Sequence, residues 1–249
     1  MVFFLPTSWK YVVGNLTMLQ PLFRTRDMVG SYWTLYVELL FYILISLMWY
    51  FNKIKNINGL IFIGLVVVIA TNGIHLIIGD SVSFYTRFFI IIRAIIPLLS
   101  HLQLFSAGII FFLCYKNGFD KQKVILLLVT ILATAVSHKD SVVINHSMSV
   151  IERVICNSIF YLAFILIISG NLKFFKIKAL TTLGTISYPL YLVHQSFGLS
   201  FSLYLVPYLG KVFAMLVGIL AAFILAFVIT YCFDIPIRKK LKPKTSVIH

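Results

Sequence analysis

The chain has 249 residues, of which 61% are hydrophobic and 11% charged, against about 45–50% and about 25% in ordinary soluble domains. This composition excludes a disordered chain, a coiled coil and a soluble enzyme, which would need more polar side chains to cover its surface. The formal net charge of +14 would indicate nucleic-acid binding on a soluble domain. Here the basic residues lie in short clusters between apolar runs, as in membrane proteins. The composition therefore predicts a polytopic membrane protein that contacts membrane lipid and no nucleic acid.

Apolar runs predict an all-α transmembrane helix bundle, because a spanning helix needs about 20 mainly apolar residues. Residues 1–31 are predicted to form an amphipathic or loop segment. Candidate spans follow at 32–51, 57–79, 122–137, 148–170, 183–206 and 211–233. A further stretch, 85–115, is interrupted by polar residues and forms either one kinked crossing or two short ones. The prediction is a single membrane-embedded domain over 1–249, with seven or eight spans.

Basic residues predict the orientation of this bundle. The four clusters are Lys53 and Lys55; Lys116, Lys121 and Lys123; Lys173, Lys176 and Lys178; and Arg238, Lys239, Lys240, Lys242 and Lys244. The connections between these clusters are nearly neutral, so the positive-inside rule puts all four on the cytoplasmic side. That arrangement favours seven crossings and a cytoplasmic C-terminus in the plasma membrane, whereas eight crossings would place the Lys53–Lys55 loop outside.

Glu38 is an ionisable residue inside an apolar span, and such residues usually face a partner or a cavity. Helical spacing puts Thr34 and Tyr42 on the same face, one turn to either side. Two interpretations remain open. Glu38 either pairs with a basic residue such as Arg93 and locks two helices, or serves as a catalytic or substrate-binding group. Arg93 in turn either extends to the membrane surface or contacts an anionic group of a ligand.

A polar stripe follows the segment after residue 183. Ser187 is predicted to cap a helix with Pro189 near its start. From that cap, polar or small residues recur on one helical face: Ser187, Tyr191, His194, Gln195, Gly198 and Ser202. Such a stripe must face protein or a water-filled cavity. It either joins helices by hydrogen bonds or presents His194 for acid–base chemistry. No His or Cys spacing indicates a metal site, and the three cysteines show no paired spacing.

Four segments together resemble the acyltransferase 3 family of integral-membrane enzymes. WTLYVE at 33–38, followed by Phe41 and Tyr42, is similar to its W-S-L-x-x-E-x-x-F-Y segment. GTISYPLYLVH at 184–194 is similar to G-x-I-S-Y-x-x-Y-L-x-H, and LFSAGII at 104–110 is similar to F-x-x-G-x. DIP at 234–236 stands where the family has E-x-P. The order and approximate spacing agree along essentially the whole chain.

The resemblance implies transfer of an acyl group, expected to be acetyl, from acyl-CoA to a hydroxyl of a cell-surface carbohydrate or similar acceptor. Acyl-CoA is then a substrate, with no bound cofactor. Glu38 and His194 are the expected catalytic residues, and Trp33, Tyr188, Tyr191 and Arg93 are the expected substrate-binding residues. No metal ligand is expected.

The chain departs from the family at its start. Members begin with helices that carry a basic residue and, further on, a histidine taken to be catalytic. The corresponding positions counted from Lys10 and Arg24 hold Pro21 and Leu35. We therefore expect an N-terminally incomplete domain, in which either Glu38 or His194 serves as the base or the fragment is inactive on its own. The alternative function is non-enzymatic: a transporter or a structural membrane subunit whose polar stripe lines a pathway or joins helices.

Overall fold

A computed structural model of the protein describes residues 9–78, 91–92, 95–137, 149–171 and 177–241. Every regular element in these ranges is helical, which confirms the predicted all-α class. The α-helices are α1 (Trp9–Leu16), α2 (Gln20–Phe23), α3 (Tyr32–Tyr50), α4 (Ile57–Ile78), α5 (Leu98–Asn117), α6 (Lys121–Val136), α7 (Val150–Ile168), α8 (Lys178–Val193), α9 (Ser200–Val228) and α10 (Ile235–Leu241). Two π-helical segments, His194–Leu199 and Ile229–Asp234, join the last three.

Most of these helices suit a membrane. Five stretches in the described part are long and apolar enough to cross one, namely Tyr32–Tyr50, Lys53–Ile74, Leu98–Asn117, Val150–Ile168 and Lys178–Leu241. The last has 64 residues and is broken at Gly210, so it supplies two arms. Helix α6, with 16 residues, is shorter than the usual span of about 20. The bundle architecture is confirmed, and the choice between seven and eight crossings stays a prediction.

The described residues fall into two compact units, and the division passes through α3 between Thr34 and Leu35. We call them the hairpin unit (described residues within 1–20, 25–34 and 174–249) and the bundle unit (those within 21–24 and 35–173).

In the bundle unit, α4, α5, α6 and α7 pack around one apolar core. Leu65, Ile110 and Cys114 are almost completely buried there. Phe111 of α5 lies edge-on to the ring of Tyr161, with 5.2 Å between the ring centroids. The phenol of Tyr161 needs a polar partner in this apolar setting.

That partner comes from α6. The Tyr161 hydroxyl lies 2.9 Å from Oγ1 of Thr130, and the Thr130 hydroxyl also donates to the carbonyl of Leu127. Thr130 is fully buried. The pair thus joins α6 to α7 by a hydrogen bond inside the core, where leaving either hydroxyl unpaired would be costly.

A tight corner between α5 and α6 buries a lysine. Gly118 ends α5 with a positive φ of 77°, a conformation that glycine adopts without steric cost. Asp120 caps α6 by accepting a hydrogen bond from the backbone N–H of Lys123. The Lys123 ammonium lies 2.7 Å from the Asp120 carboxylate and donates to the carbonyl of Gly118. Because Lys123 is only 5% exposed, these partners offset the cost of burying its charge.

The hairpin unit is built on two antiparallel arms that reverse at Gly210, whose φ is 74° and ψ 164°. Residues that contact each other across the arms lie the same number of positions before and after Gly210. Gly198 contacts Ala222, and Ser202 contacts Gly218. The first arm therefore consists of α8, the first π-helical segment and α9 up to Gly210. The second arm runs from Lys211 onward.

Small residues allow the arms to approach closely where they cross. A Cβ added at Gly218 would overlap Ser202 Oγ and lie 2.7 Å from the carbonyl oxygen of Gly198. The Ser202 hydroxyl donates to that same carbonyl at 2.8 Å. Ala222 continues the small-residue face one turn further along the second arm, 3.2 Å from a Cβ built at Gly198. Such faces are typical of helix pairs in membranes.

The segment before α3 is ordered around Asn15. Its amide nitrogen donates to the carbonyls of Tyr11 and Arg26, and its amide oxygen accepts from the backbone N–H of Met28 and from the side chain of Gln20. Asn15 is 6% exposed. The segment 1–31, predicted to be amphipathic or a loop, thus contains α1 and α2 among its described residues.

The start of α8 was predicted wrongly. The helix begins at Lys178, after the extended residue Ile177, and Pro189 lies in its interior. Ser187 does not cap it, because its hydroxyl donates to the carbonyl of Gly184 within the helix, at 2.8 Å. A Ser hydroxyl that bonds back to its own helix is compatible with an interior position.

Candidate functional site

The regular α-helix of the first arm is interrupted at His194. Residues His194–Leu199 form a π-helical turn between α8 and α9. A π-helical turn is wider than an α-turn and often occurs at functional sites. It contains Gly198, the residue at the arm crossing.

The His194 ring is oriented by backbone carbonyls. Its Nδ1 lies 2.7 Å from the carbonyl oxygen of Tyr191 and 3.3 Å from that of Leu190. A carbonyl oxygen only accepts hydrogen bonds, so Nδ1 carries the proton. In the neutral ring, Nε2 then holds the lone pair and can accept a hydrogen bond or a proton. No hydrogen bond from a described residue reaches Nε2.

Tyr191 is fixed by the segment that leads into α3. Its hydroxyl lies 2.7 Å from Oγ1 of Thr34 and donates to the carbonyl of Ser31 at 3.3 Å. The Ser31 hydroxyl donates to the Tyr191 carbonyl, the same oxygen that accepts from His194. All these residues belong to the hairpin unit. Thr34 and Ser31 therefore hold the residue that orients the imidazole.

Gln195 strengthens this attachment. Its Oε1 accepts a hydrogen bond from the Ser31 hydroxyl at 3.1 Å. Gly30 packs against the same amide, since an added Cβ would lie 2.6–2.8 Å from it. Sequence reasoning did not single out Gly30 or Ser31. The only available signal was a pair of small residues directly before the Trp33 segment.

Next to His194 the two arms leave a groove of about 720 Å³, within the roughly 300–1,000 Å³ range of small-molecule sites. Its walls are mainly apolar side chains: Leu183, Leu190, Leu199, Met215, Ile219 and Phe223. Gly198, Gly218 and Ala222, the small residues of the crossing, also line it. Because they carry little or no side chain, they let the arms approach while adding little bulk to the groove.

The structure divides the residues of the predicted polar stripe between a helix-joining position and the wall of the groove. Gly198 and Ser202 join the two arms, and Gln195 bonds to Ser31. Tyr191 and His194 line the groove, together with Ser187. The helix-joining interpretation holds for one part of the stripe, and a site role for His194 stays a prediction that its geometry favours.

Three other predicted site residues, Trp33, Glu38 and Tyr188, are not among the residues that line the groove. Glu38 is half-buried on α3 in the bundle unit, without a hydrogen bond or ion pair to another described residue. Trp33 and Tyr188 are 48% and 51% exposed. Arg93, the proposed partner of Glu38 and proposed ligand-binding residue, lies outside the described residues.

Two further observations concern charged and metal-binding groups. Asp234, the carboxylate of the DIP segment, forms a two-point ion pair with Arg238 one turn later. Within the described ranges, no group of three or more His, Cys, Asp or Glu side chains could hold a metal ion.

An all-helical chain with long apolar spans and an oriented histidine beside an apolar groove belongs to the class of polytopic membrane proteins. A comparison with family models identifies the acyltransferase domain of the acyltransferase 3 family over residues 1–233. The chain belongs to this family, as the motif resemblance indicated. No curated protein and no solved structure matches it significantly.

Proposed function

We propose that the protein is an integral-membrane O-acyltransferase. It transfers an acyl group, expected to be acetyl, from acyl-CoA to a hydroxyl of a cell-surface carbohydrate or similar acceptor. The observation that carries the proposal is the match to the acyltransferase domain over residues 1–233. We further propose a plasma-membrane location with a cytoplasmic C-terminus, because the basic clusters then lie inside. Those clusters would also attract the phosphates of CoA electrostatically.

The reaction needs a base and an oxyanion-stabilising donor. The acceptor oxygen attacks the thioester carbonyl, forming a carbon–oxygen bond while its proton passes to the base. The tetrahedral intermediate then collapses, the carbon–sulfur bond breaks, and the base returns the proton to the departing sulfur. A positioned base is worth about 10²–10⁴-fold in rate, and one oxyanion donor about 10²–10³-fold.

His194 is our first candidate for the base. Its Nδ1–H is bound to the Tyr191 carbonyl, so the neutral ring offers Nε2 to an acceptor hydroxyl. Glu38 is the second candidate, since an intramembrane carboxylate is costly without a functional or structural partner. Trp33, Tyr188 and Arg93 are proposed to bind substrate, as is Tyr191.

The test is release of free thiol from acetyl-CoA by the purified protein in lipid nanodiscs, with a carbohydrate acceptor present. We expect His194→Gln to lower kcat by about 10²-fold or more, the contribution of a general base. Ser196→Ala is the matched control, because Ser196 is exposed on the same π-turn and we expect it to retain activity. Glu38→Gln decides whether the carboxylate contributes as well.

Two results would contradict the proposal. The first is an absence of turnover by the wild-type protein with any hydroxyl acceptor. The second is full activity in both the His194→Gln and Glu38→Gln variants, which would remove these residues from the chemistry. Solute flux in proteoliposomes without acyl transfer would instead favour the non-enzymatic alternative.

A further inference from the structure

The polar groups in the groove restrict what it can bind. Three lining hydroxyls are already engaged within the protein. Ser187 donates to Gly184, Ser202 donates to Gly198, and the Tyr191 hydroxyl bonds Thr34 and Ser31. The rest of the wall is apolar except for His194. The protons of these hydroxyls are therefore used, and within the described part of the chain Nε2 of His194 is the side-chain nitrogen of the wall that no protein group occupies.

Nε2 of the neutral ring is an acceptor, because Nδ1 carries the proton that the Tyr191 carbonyl binds. An acceptor on an apolar wall selects a ligand with a hydrogen-bond donor beside a hydrocarbon surface. An anionic group would find no donor among these lining side chains, and a free sugar would leave most of its hydroxyls unpaired against Leu190, Ile219 and Phe223.

We infer that the groove binds a membrane amphiphile whose hydrocarbon chain lies between the arms and whose hydroxyl donates to Nε2 of His194. This rests on the proposed function and narrows it: the acceptor hydroxyl is carried by a lipid-like molecule and reaches the base from within the membrane. The groove has a volume of about 720 Å³, which is large enough for such a hydrocarbon chain.

The small residues at the crossing explain why the groove exists on this helix pair. Gly198, Gly218 and Ala222 bring the arms together and also line the groove. Leu190 and Ile219 supply apolar wall on opposite arms. Because lipid tails are as apolar as these walls, a chain in the groove is held by van der Waals packing rather than by the hydrophobic effect. The hydroxyl determines its register.

The experiment is photo-crosslinking in lipid nanodiscs with two probes. One is a long-chain alcohol that carries a diazirine on its chain, and the other is the same chain without the hydroxyl. Labelled residues are located by mass spectrometry of peptides. We expect the alcohol to label Met215 and Ile219 more strongly than the alkane, by about twofold to tenfold, the worth of one hydrogen bond.

Variants separate the groove from the ordinary lipid-facing surface. Ile219→Trp fills the groove and should remove alcohol-dependent labelling at Met215. Leu216→Trp is the matched control, because Leu216 is similarly exposed on the same arm but does not line the groove. His194→Phe should make the two probes label equally.

The inference is overturned if both probes label the groove equally in the wild-type protein, or if Leu216→Trp removes the preference as fully as Ile219→Trp. Such results combined with acyl transfer to a soluble sugar leave the proposed function standing. Alcohol-dependent labelling without acyl transfer to any hydroxyl supports the inference and contradicts the proposed function.

Discussion

The arm crossing at Gly218 allows a quantitative test of the hairpin. Replacing Gly218 by Ala adds one methyl group in the closest contact between the arms. That methyl would overlap Ser202 Oγ and lie 2.7 Å from the carbonyl oxygen of Gly198 and 3.0 Å from Ser202 Cβ. The Ser202 hydroxyl is itself bonded to the Gly198 carbonyl, so it cannot turn away without losing this hydrogen bond. The second arm must therefore shift.

Two terms set the size of the effect. Overpacking a well-packed contact costs about 1–3 kcal/mol, and the alanine recovers about 0.5–1 kcal/mol of helix propensity. We therefore expect Gly218→Ala to lower the free energy of unfolding by about 0–2.5 kcal/mol, the difference between these two terms, with a central value of about 1 kcal/mol. Gly184→Ala is the matched control. Gly184 lies in α8 with no atom within 4 Å of an added Cβ, so this variant should be neutral or slightly stabilised.

The assay is reversible unfolding in mixed micelles, followed by fluorescence, of the wild-type protein and both variants under identical conditions. Equal stability of Gly218→Ala and Gly184→Ala would refute the close crossing. A destabilised Gly184→Ala variant would show that the exposed face of α8 is covered in the folded protein.

Three further results are expected. Thr34→Val should lower the free energy of unfolding by about 0.5–1.5 kcal/mol, because the Tyr191 hydroxyl loses its closest hydrogen-bond partner. Thr34→Ser keeps a hydroxyl at this position and should retain the wild-type stability. Equal losses of stability in the two variants, measured by thermal unfolding, would contradict the hydrogen bond between Thr34 and Tyr191. The hydrogen bond from the Lys123 side chain lowers the pKa of Asp120, so this ion pair stabilises the fold above the ordinary carboxyl range and the stabilisation is lost as pH falls through the lowered value. Asp120→Asn keeps a side chain that can cap the helix but removes the charge. It should be less stable than the wild-type protein at neutral pH and equally stable in acid, where Asp120 is protonated. A difference in stability that persists at low pH would refute the contribution of the ion pair. Tyr161→Phe should lower stability by about 0.5–1.5 kcal/mol, the net worth of the hydrogen bond to Thr130, which keeps its bond to the Leu127 carbonyl. An unchanged urea midpoint would contradict this.

Much of the helical architecture follows from local composition. The apolar runs at 32–51 and 57–79 correspond within a residue or so to α3 and α4, and the run at 148–170 corresponds to α7. Length and hydropathy suffice there because each run lies between polar turns. The start of α8 was less accessible, because Ser187 and Pro189 are typical of a helix start but are also tolerated inside a helix whose neighbours compensate.

The candidate site, too, could be predicted only in part from the sequence. The chain composition and the two family segments were sufficient to indicate a membrane acyltransferase and to single out Tyr191 and His194. They could not indicate that Tyr191 is held by Thr34, a residue 157 positions earlier, or that Gly198 and Ser202 face the other arm. Helical periodicity assigns residues to a face of one helix, but it carries no information about which neighbour covers that face. That is determined by packing between segments far apart in the chain, because close approach depends on the shapes of both partners.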